Sequence, residues 1–173
     1  MNSALFSTAS DNWQTPAALF QQLDAEFHFD LDAAACANTA MVGHYIGPDR
    51  EDPALRDALS ISWPAHRMAW LNPPYGQIAA FMKKASEEAP CVCLIPARTD
   101  TRWWWNYVLK AHEIRFLKGR LKFLSDGKEL SSAPFPSAVV VFYSHLRASV
   151  QPYVYWSDWR CHSKTNSASA TIS

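Results

Sequence analysis

Leu19, Phe20, Leu23 and Phe27 recur at the three-and-four spacing of one helical face. Thr15 and Pro16 stand just ahead of them as a helix N-cap and a first helical residue. Phe29 to Ala33 and Met68 to Leu71 are short apolar stretches that predict strands, and the polar, Gly- and Pro-punctuated segment 34–58 between them predicts irregular chain. Gln77 to Glu88 returns to helical spacing, with Ile78, Phe81, Met82 and Ala85 on one side. Cys91 to Ile95 predicts a strand ended by Pro96, and Thr101 to Leu109 a helix. Ile114 to Leu117 and Arg120 to Leu124 predict two more strands. Ala138 to Tyr143 is a continuous apolar run, the mark of a strand buried on both faces. Residues 1–12 read as a loose arm, 13–160 as one domain, and the Ser-, Thr- and Ala-rich 161–173 as a disordered tail.

Strands alternating with helices predict an α/β fold with a mostly parallel sheet and helices on both faces. Ligands of such sheets bind outside the carboxyl ends of the strands. Asp30 and Asp32, Asn72 to Tyr75, and Pro96 to Thr99 all fall at predicted strand ends, so one edge of the sheet collects them.

Composition adds limits. With 173 residues, 49% apolar and 18% charged, the chain has enough material for one sizeable core. No apolar stretch approaches a membrane span, and the chain does not open on a basic-then-apolar segment, so the expectation is a cytoplasmic protein with no membrane partner. Cys36, Cys91, Cys93 and Cys161 form no C-x-x-C pair, no His pair has ligand spacing, and no metal is expected. Cys91 and Cys93, two apart in an apolar run, read as buried thiols. Net charge is zero, yet residues 1–62 hold nine acids and two bases while 98–128 hold eight bases and three acids. In the second segment Arg98, Arg102, Arg120 and Lys122 are interleaved with aromatics such as Trp103, Trp104, Trp105 and Phe123, the combination of a nucleic-acid surface. Three adjacent tryptophans on a helix cannot all face a core, so at least one points outward.

The candidate chemistry lies in Asn72-Pro73-Pro74-Tyr75, directly after the Met68 to Leu71 strand. Two prolines fix φ and hold the turn rigid. Asn72 brings a side-chain acceptor, the local carbonyls are open to a ligand, and Tyr75 brings a π face. Such a set suits a flat, amine-bearing group. The exocyclic amine of adenine is a poor nucleophile because its lone pair is delocalised. Two acceptors on its N–H bonds localise that pair for attack on a sulfonium methyl, by positioning and fixed dipoles.

The order Trp13-Gln14-Thr15-Pro16, Phe29 to Ala35, Trp70 to Gly76, Pro96 to Thr101 and Gly119 to Phe123 resembles the phage-type DNA N-6-adenine methyltransferase (Dam) family over roughly 13–145. The resemblance implies a Rossmann-like fold, S-adenosylmethionine as cofactor and adenine in DNA as acceptor. Asn72, Pro73, Pro74 and Tyr75 take the catalytic motif: Asn72 and the Pro73 carbonyl accept from the amine, and Tyr75 stacks on the base. Trp13, Thr15, Pro16, Asp30, Asp32 and Asp57 fall to the cofactor, with Thr15 and Pro16 beside its methionine moiety and Asp57 near its adenine. Arg98, Arg102, Trp103, Arg120, Lys122 and Phe123 fall to DNA, Phe123 as a second aromatic wall of the target pocket. The first cofactor loop departs from the glycine-rich pattern of many methyltransferases: it reads Asp32-Ala33-Ala34-Ala35. There is no room for a large target-recognition domain, which leaves readout to short inserts such as 36–56 or 125–136. A phage origin would set the protein in host cytoplasm and suggests protection from restriction. The residues also admit a different planar amine or amide as acceptor (RNA adenine or protein glutamine), or a DNA-binding module without catalysis. They do not specify an oligomeric state.

Overall fold

The computed structural model describes residues 13–63, 68–88, 90–125, 127–143 and 152–157; the expected arm at 1–12 and tail at 161–173 lie outside them. The named elements are α1 (Ala17–Phe27), β1 (Leu31–Asp32), β2 (Ala69–Leu71), α2 (Ile78–Glu87), β3 (Cys91–Pro96), α3 (Arg102–Asn106), β4 (Glu113–Leu117), β5 (Leu124–Ser125), β6 (Lys128–Glu129), β7 (Ser137–Phe142) and β8 (Tyr153–Ser157). Six of them form one sheet in the order β1-β2-β3-β7-β4-β8. Pairings are parallel except on the two sides of β7, which runs against both β3 and β4. The mostly parallel sheet expected from the sequence is therefore present, with one reversed strand in its middle.

The period of two along each strand divides the core. Trp70, Val92, Leu94, Val139 and Val141 face Leu19, Phe20 and Leu23 of α1. The alternate residues, Leu71, Cys91, Cys93, Ile95 and Val140 among them, face Phe81, Met82 and Ala85 of α2 and Trp104 of α3. Helices thus cover both faces, which is why β3 and β7 are buried at every position. The apolar run of β7 reflects its place between covered faces and carries no information on its direction. Cys91 and Cys93 are fully buried free thiols, as expected.

β3 ends at Pro96, as expected, with Pro96 paired to Ser137. Three local expectations need correction. Thr15 does not cap α1: Pro16 occupies the N-cap position, and no side chain among the described residues caps the helix. The helix expected over Thr101 to Leu109 is α3 followed by a 3-10 turn, Val108–Lys110. Arg120 to Leu124 contributes only Leu124 to a strand. Leu121 and Phe123 do alternate inward, but the carbonyls of Leu121 and Phe123 accept from Ala133 and Leu130 in a loop, so no ladder forms. The structure adds β8, which the sequence pattern did not announce, and the small hairpin β5-β6, turned at Gly127 with φ 74. Among the described residues no helix is long and apolar enough to cross a membrane.

Candidate active site

Asp32 is the last residue of β1, Asn72 follows β2, and Pro96 ends β3. The three parallel strands deliver these residues to one edge of the sheet, as expected. β7 starts at the same edge, because Ser137 pairs with Pro96, and this brings in Phe135 just ahead of it. A cleft of about 290 Å3 opens there, small for a ligand site. Trp13, Thr15, Asp32, Asp57, Asn72 and Pro74 all line it.

Asn72 is held by its amide nitrogen. Nδ2 donates to the Trp13 carbonyl at 2.7 Å and to Thr15 Oγ1 at 3.3 Å. With both donors committed, the side-chain oxygen is the polar atom Asn72 retains for a ligand. Thr15 is only 4% exposed, and its hydroxyl serves Asn72 where the sequence suggested a helix cap. The carbonyl that holds Asn72 belongs to a fixed segment. Gln14 exchanges backbone hydrogen bonds with Leu124 at 2.9 and 3.0 Å. The Trp13 ring meets Phe123, Phe135 and Tyr75 at centroid distances of 5.0, 5.6 and 5.3 Å.

Tyr75 lies edge-on to both Trp13 and Phe135. Its hydroxyl is buried with no hydrogen-bond partner among the described residues. Burial pushes the phenol well above its ordinary value, and the nearby Arg98 offsets only part of that. The group stays protonated at neutral pH, so it offers a ring face and a hydroxyl that can donate. Arg98 is exposed and stands 5.7 Å from the centre of the Phe135 ring. Pro73 is buried and Pro74 half-buried in the turn.

Asp32 is 3% exposed. Its carboxylate accepts from Met41 N–H at 3.1 Å and Ala34 N–H at 3.4 Å. Burial outweighs these bonds and lifts its pKa from 3.8 to about 6. The folded protein holds this proton more tightly than the unfolded chain does. The contribution to stability is therefore complete below pH 3.8 and is lost as pH rises to about 6. The ionised form carries a penalty on the order of 3 kcal/mol at neutral pH. Melting temperature of Asp32→Asn minus that of the parent should therefore rise between pH 4 and 6 and then level off. A difference that stays flat over that range would show that Asp32 titrates normally.

Gly47 is a site residue that the sequence reading missed. A Cβ placed on it would lie 1.6 Å from the Ala35 carbonyl oxygen. The segment carrying it runs beside β1: Ile46 N–H donates to Asp32 O, and Ala35 N–H to Ile46 O, at 2.9 and 3.0 Å. The glycine absent from the first loop is thus supplied by the chain that packs against it. The 36–56 insert, considered above for DNA readout, contributes Cys36, Met41 and Gly47 to the cleft wall. Phe135 was missed as well, since nothing in Ala133-Pro134-Phe135-Pro136 signals that the residue two ahead of β7 packs on Tyr75.

The remaining sequence candidates fall in other places. Asp30 ties β1 to β2 through its N–H to Met68 O at 3.2 Å and does not line the cleft. Asp57 is exposed on the cleft rim and accepts from Leu59 N–H at 2.9 Å. Pro16 caps α1. Phe123 is 1% exposed, packed behind Trp13, so the aromatic beside Tyr75 is Phe135. Arg102 and Arg120 are exposed; Lys122 is too, in an ion pair with Glu129 at 2.8 Å. Arg115, in the same basic segment, is bound to Glu26 and Glu113 and belongs to the scaffold. Trp104 is buried, Trp103 half-buried and Trp105 65% exposed, the outward indole expected. Among the described residues no group of three or more His, Cys, Asp or Glu is placed to hold a metal ion.

The class this arrangement defines is an α/β domain with a cleft and an Asn-Pro-Pro-Tyr turn at the carboxyl edge of its parallel strands. A family model described as DNA N-6-adenine-methyltransferase (Dam) matches residues 2–166. The chain belongs to this family. It is 29% identical over 124 residues to a DNA N-6-adenine-methyltransferase of Escherichia phage T1. That match covers 69% of this chain, and the chain spans about half (50%) of the relative's length.

Proposed function

We propose that this protein transfers a methyl group from S-adenosylmethionine to the N6 amine of adenine in DNA, on a Rossmann-like methyltransferase fold. The observation that carries this reading is the commitment of both Asn72 amide donors to the 13–15 segment, which leaves its oxygen as the free acceptor of a residue that lines the cleft. Family membership and the phage T1 relative support the choice of acceptor.

The cleft residues fit the cofactor by their chemistry. Asp32 is a carboxylate in a dry wall, suited to a cationic or hydroxyl-bearing ligand. Gly47 leaves the backbone open to close approach, and Asp57 offers an acceptor at the rim. Bound there, S-adenosylmethionine would supply an electrophilic sulfonium methyl. The protein's part is positioning. Adenine, flipped out of its stack, would lie against Tyr75. Asn72 Oδ1 and the Pro73 carbonyl would accept its two N–H bonds and localise the nitrogen lone pair. DNA would be held by Arg98, Arg102 and Arg120, with Trp103 and Trp105 as stacking surfaces. The closed packing of Tyr75 on Phe135, at 5.3 Å, would have to loosen as the base enters.

Cys36 gives an activity-independent test of where the cofactor sits. It lines the cleft and is partly exposed, whereas Cys91 and Cys93 are buried. Alkylation of Cys36, followed by mass spectrometry of its peptide, should slow several-fold at saturating S-adenosylmethionine. An unchanged rate, with binding verified by calorimetry, would place the cofactor elsewhere. The function itself is tested by transfer of labelled methyl to unmethylated DNA.

A further inference from the structure

We propose that Thr15 and the Trp13 carbonyl are positioning groups for Asn72, and that they commit this site to asparagine over aspartate. The inference rests on the function proposed above.

A free carboxamide rotates between two orientations that exchange its oxygen and nitrogen. Here the Trp13 carbonyl breaks that symmetry. Only the orientation with Nδ2 toward it makes a hydrogen bond, at 2.7 Å; the reverse would set two acceptors against each other. Thr15 Oγ1 takes the second amide hydrogen at 3.3 Å. The hydroxyl is available for this because it caps no helix. Neither group can drift. Trp13 is wedged among Phe123, Phe135 and Tyr75, and Gln14 is bridged to Leu124. The outcome is a side-chain oxygen whose direction is set before any substrate arrives, the form of preorganisation that favours a developing positive charge on nitrogen.

A carboxylate also accepts hydrogen bonds, so by acceptor chemistry alone aspartate would serve. In this frame it does not, because it has no hydrogen to give the Trp13 carbonyl. The protonated acid does: its O–H takes the place of the amide N–H, and its carbonyl oxygen takes the acceptor role.

The test has three arms. Asn72→Asp should lose about a hundredfold in kcat at pH 7.5 and regain activity as pH falls and the introduced acid protonates. Near-parental activity at pH 7.5 would overturn the commitment to asparagine, as would a profile with no rise toward low pH. Thr15→Val should lower kcat about tenfold at saturating cofactor, while Thr15→Ser, which keeps the hydroxyl, should restore it. A Thr15→Val defect confined to cofactor affinity would make Thr15 a cofactor contact and refute the positioning role. The third arm needs no activity. NMR of the Asn72 side-chain amide should show both hydrogens protected from exchange, with one released in Thr15→Val. Two freely exchanging hydrogens would refute the positioning even in an active enzyme. Protection without methyl transfer to DNA would support the positioning and refute the activity on which its purpose rests.

Discussion

Asn72→Ala should lower turnover by two to three orders of magnitude while S-adenosylmethionine binding changes far less. The size follows from the loss of one preorganised polar group at the reacting atom, about 10²–10³ in kcat where such groups have been removed. The direction follows from the geometry. Asn72 touches the cleft, but its amide nitrogen is committed to Trp13 and Thr15, so the acceptor oxygen is what the substitution takes from the chemistry. The truncation also leaves the Trp13 carbonyl and the Thr15 hydroxyl without their donor, at a cost of about 1–3 kcal/mol in stability. Thermal melts of the variant separate the two effects: a mostly folded protein with little turnover is expected. Full turnover by folded Asn72→Ala would remove the side chain from the mechanism.

Gly47→Ala should damage the cleft itself. The added Cβ would meet the Ala35 carbonyl oxygen at 1.6 Å and the carbonyl carbon at 2.8 Å. Both are backbone atoms, so no rotamer relieves the clash, and the 44–47 segment has to leave its pairing with β1. That pairing shapes the wall that holds Asp32, through Ile46 N–H to Asp32 O at 2.9 Å and Asp32 N–H to His44 O at 2.8 Å. A loss of about 3 kcal/mol is expected, the upper range for overpacking, and a fall in melting temperature of roughly 10 °C for a domain of this size. Cofactor affinity should fall at least tenfold in calorimetry. Gly43→Ala is the control, since a Cβ there has nothing within 4 Å. Equal stability and affinity in the two variants would show that the close approach at Gly47 is unimportant.

Features legible in the sequence were those written in local pattern. The helical spacing of Leu19, Phe20, Leu23 and Phe27 fixes the buried face of α1. Two prolines after a short apolar run place a rigid turn at the end of β2. The runs around Cys93 and Val140 mark the fully buried strands. What stayed hidden depends on contacts between distant segments. The sequence at Gly47 resembles any loop glycine; its meaning comes from the Ala35 backbone beside it. Thr15-Pro16 has the form of a helix cap, but Asn72, 57 residues further on, competes for the hydroxyl and takes it. Phe123 and Phe135 are both aromatics in irregular chain. Only the position of Trp13 between them decides which is core and which stands at the site. The basic segment shows the same limit: Arg115 and Arg98 look alike in sequence, yet one is locked to two glutamates and the other is exposed beside the Phe135 ring.

The most direct measurement is transfer of labelled methyl from S-adenosylmethionine to unmethylated DNA, followed by nucleoside analysis of the product, for the parent protein and Asn72→Ala in parallel. Label recovered as N6-methyladenine with the parent, and reduced at least a hundredfold with the variant, is the expected result. Label on another base, no transfer to DNA by a protein that binds the cofactor, or equal yields from the two proteins would contradict the proposed function of the Asn72 site.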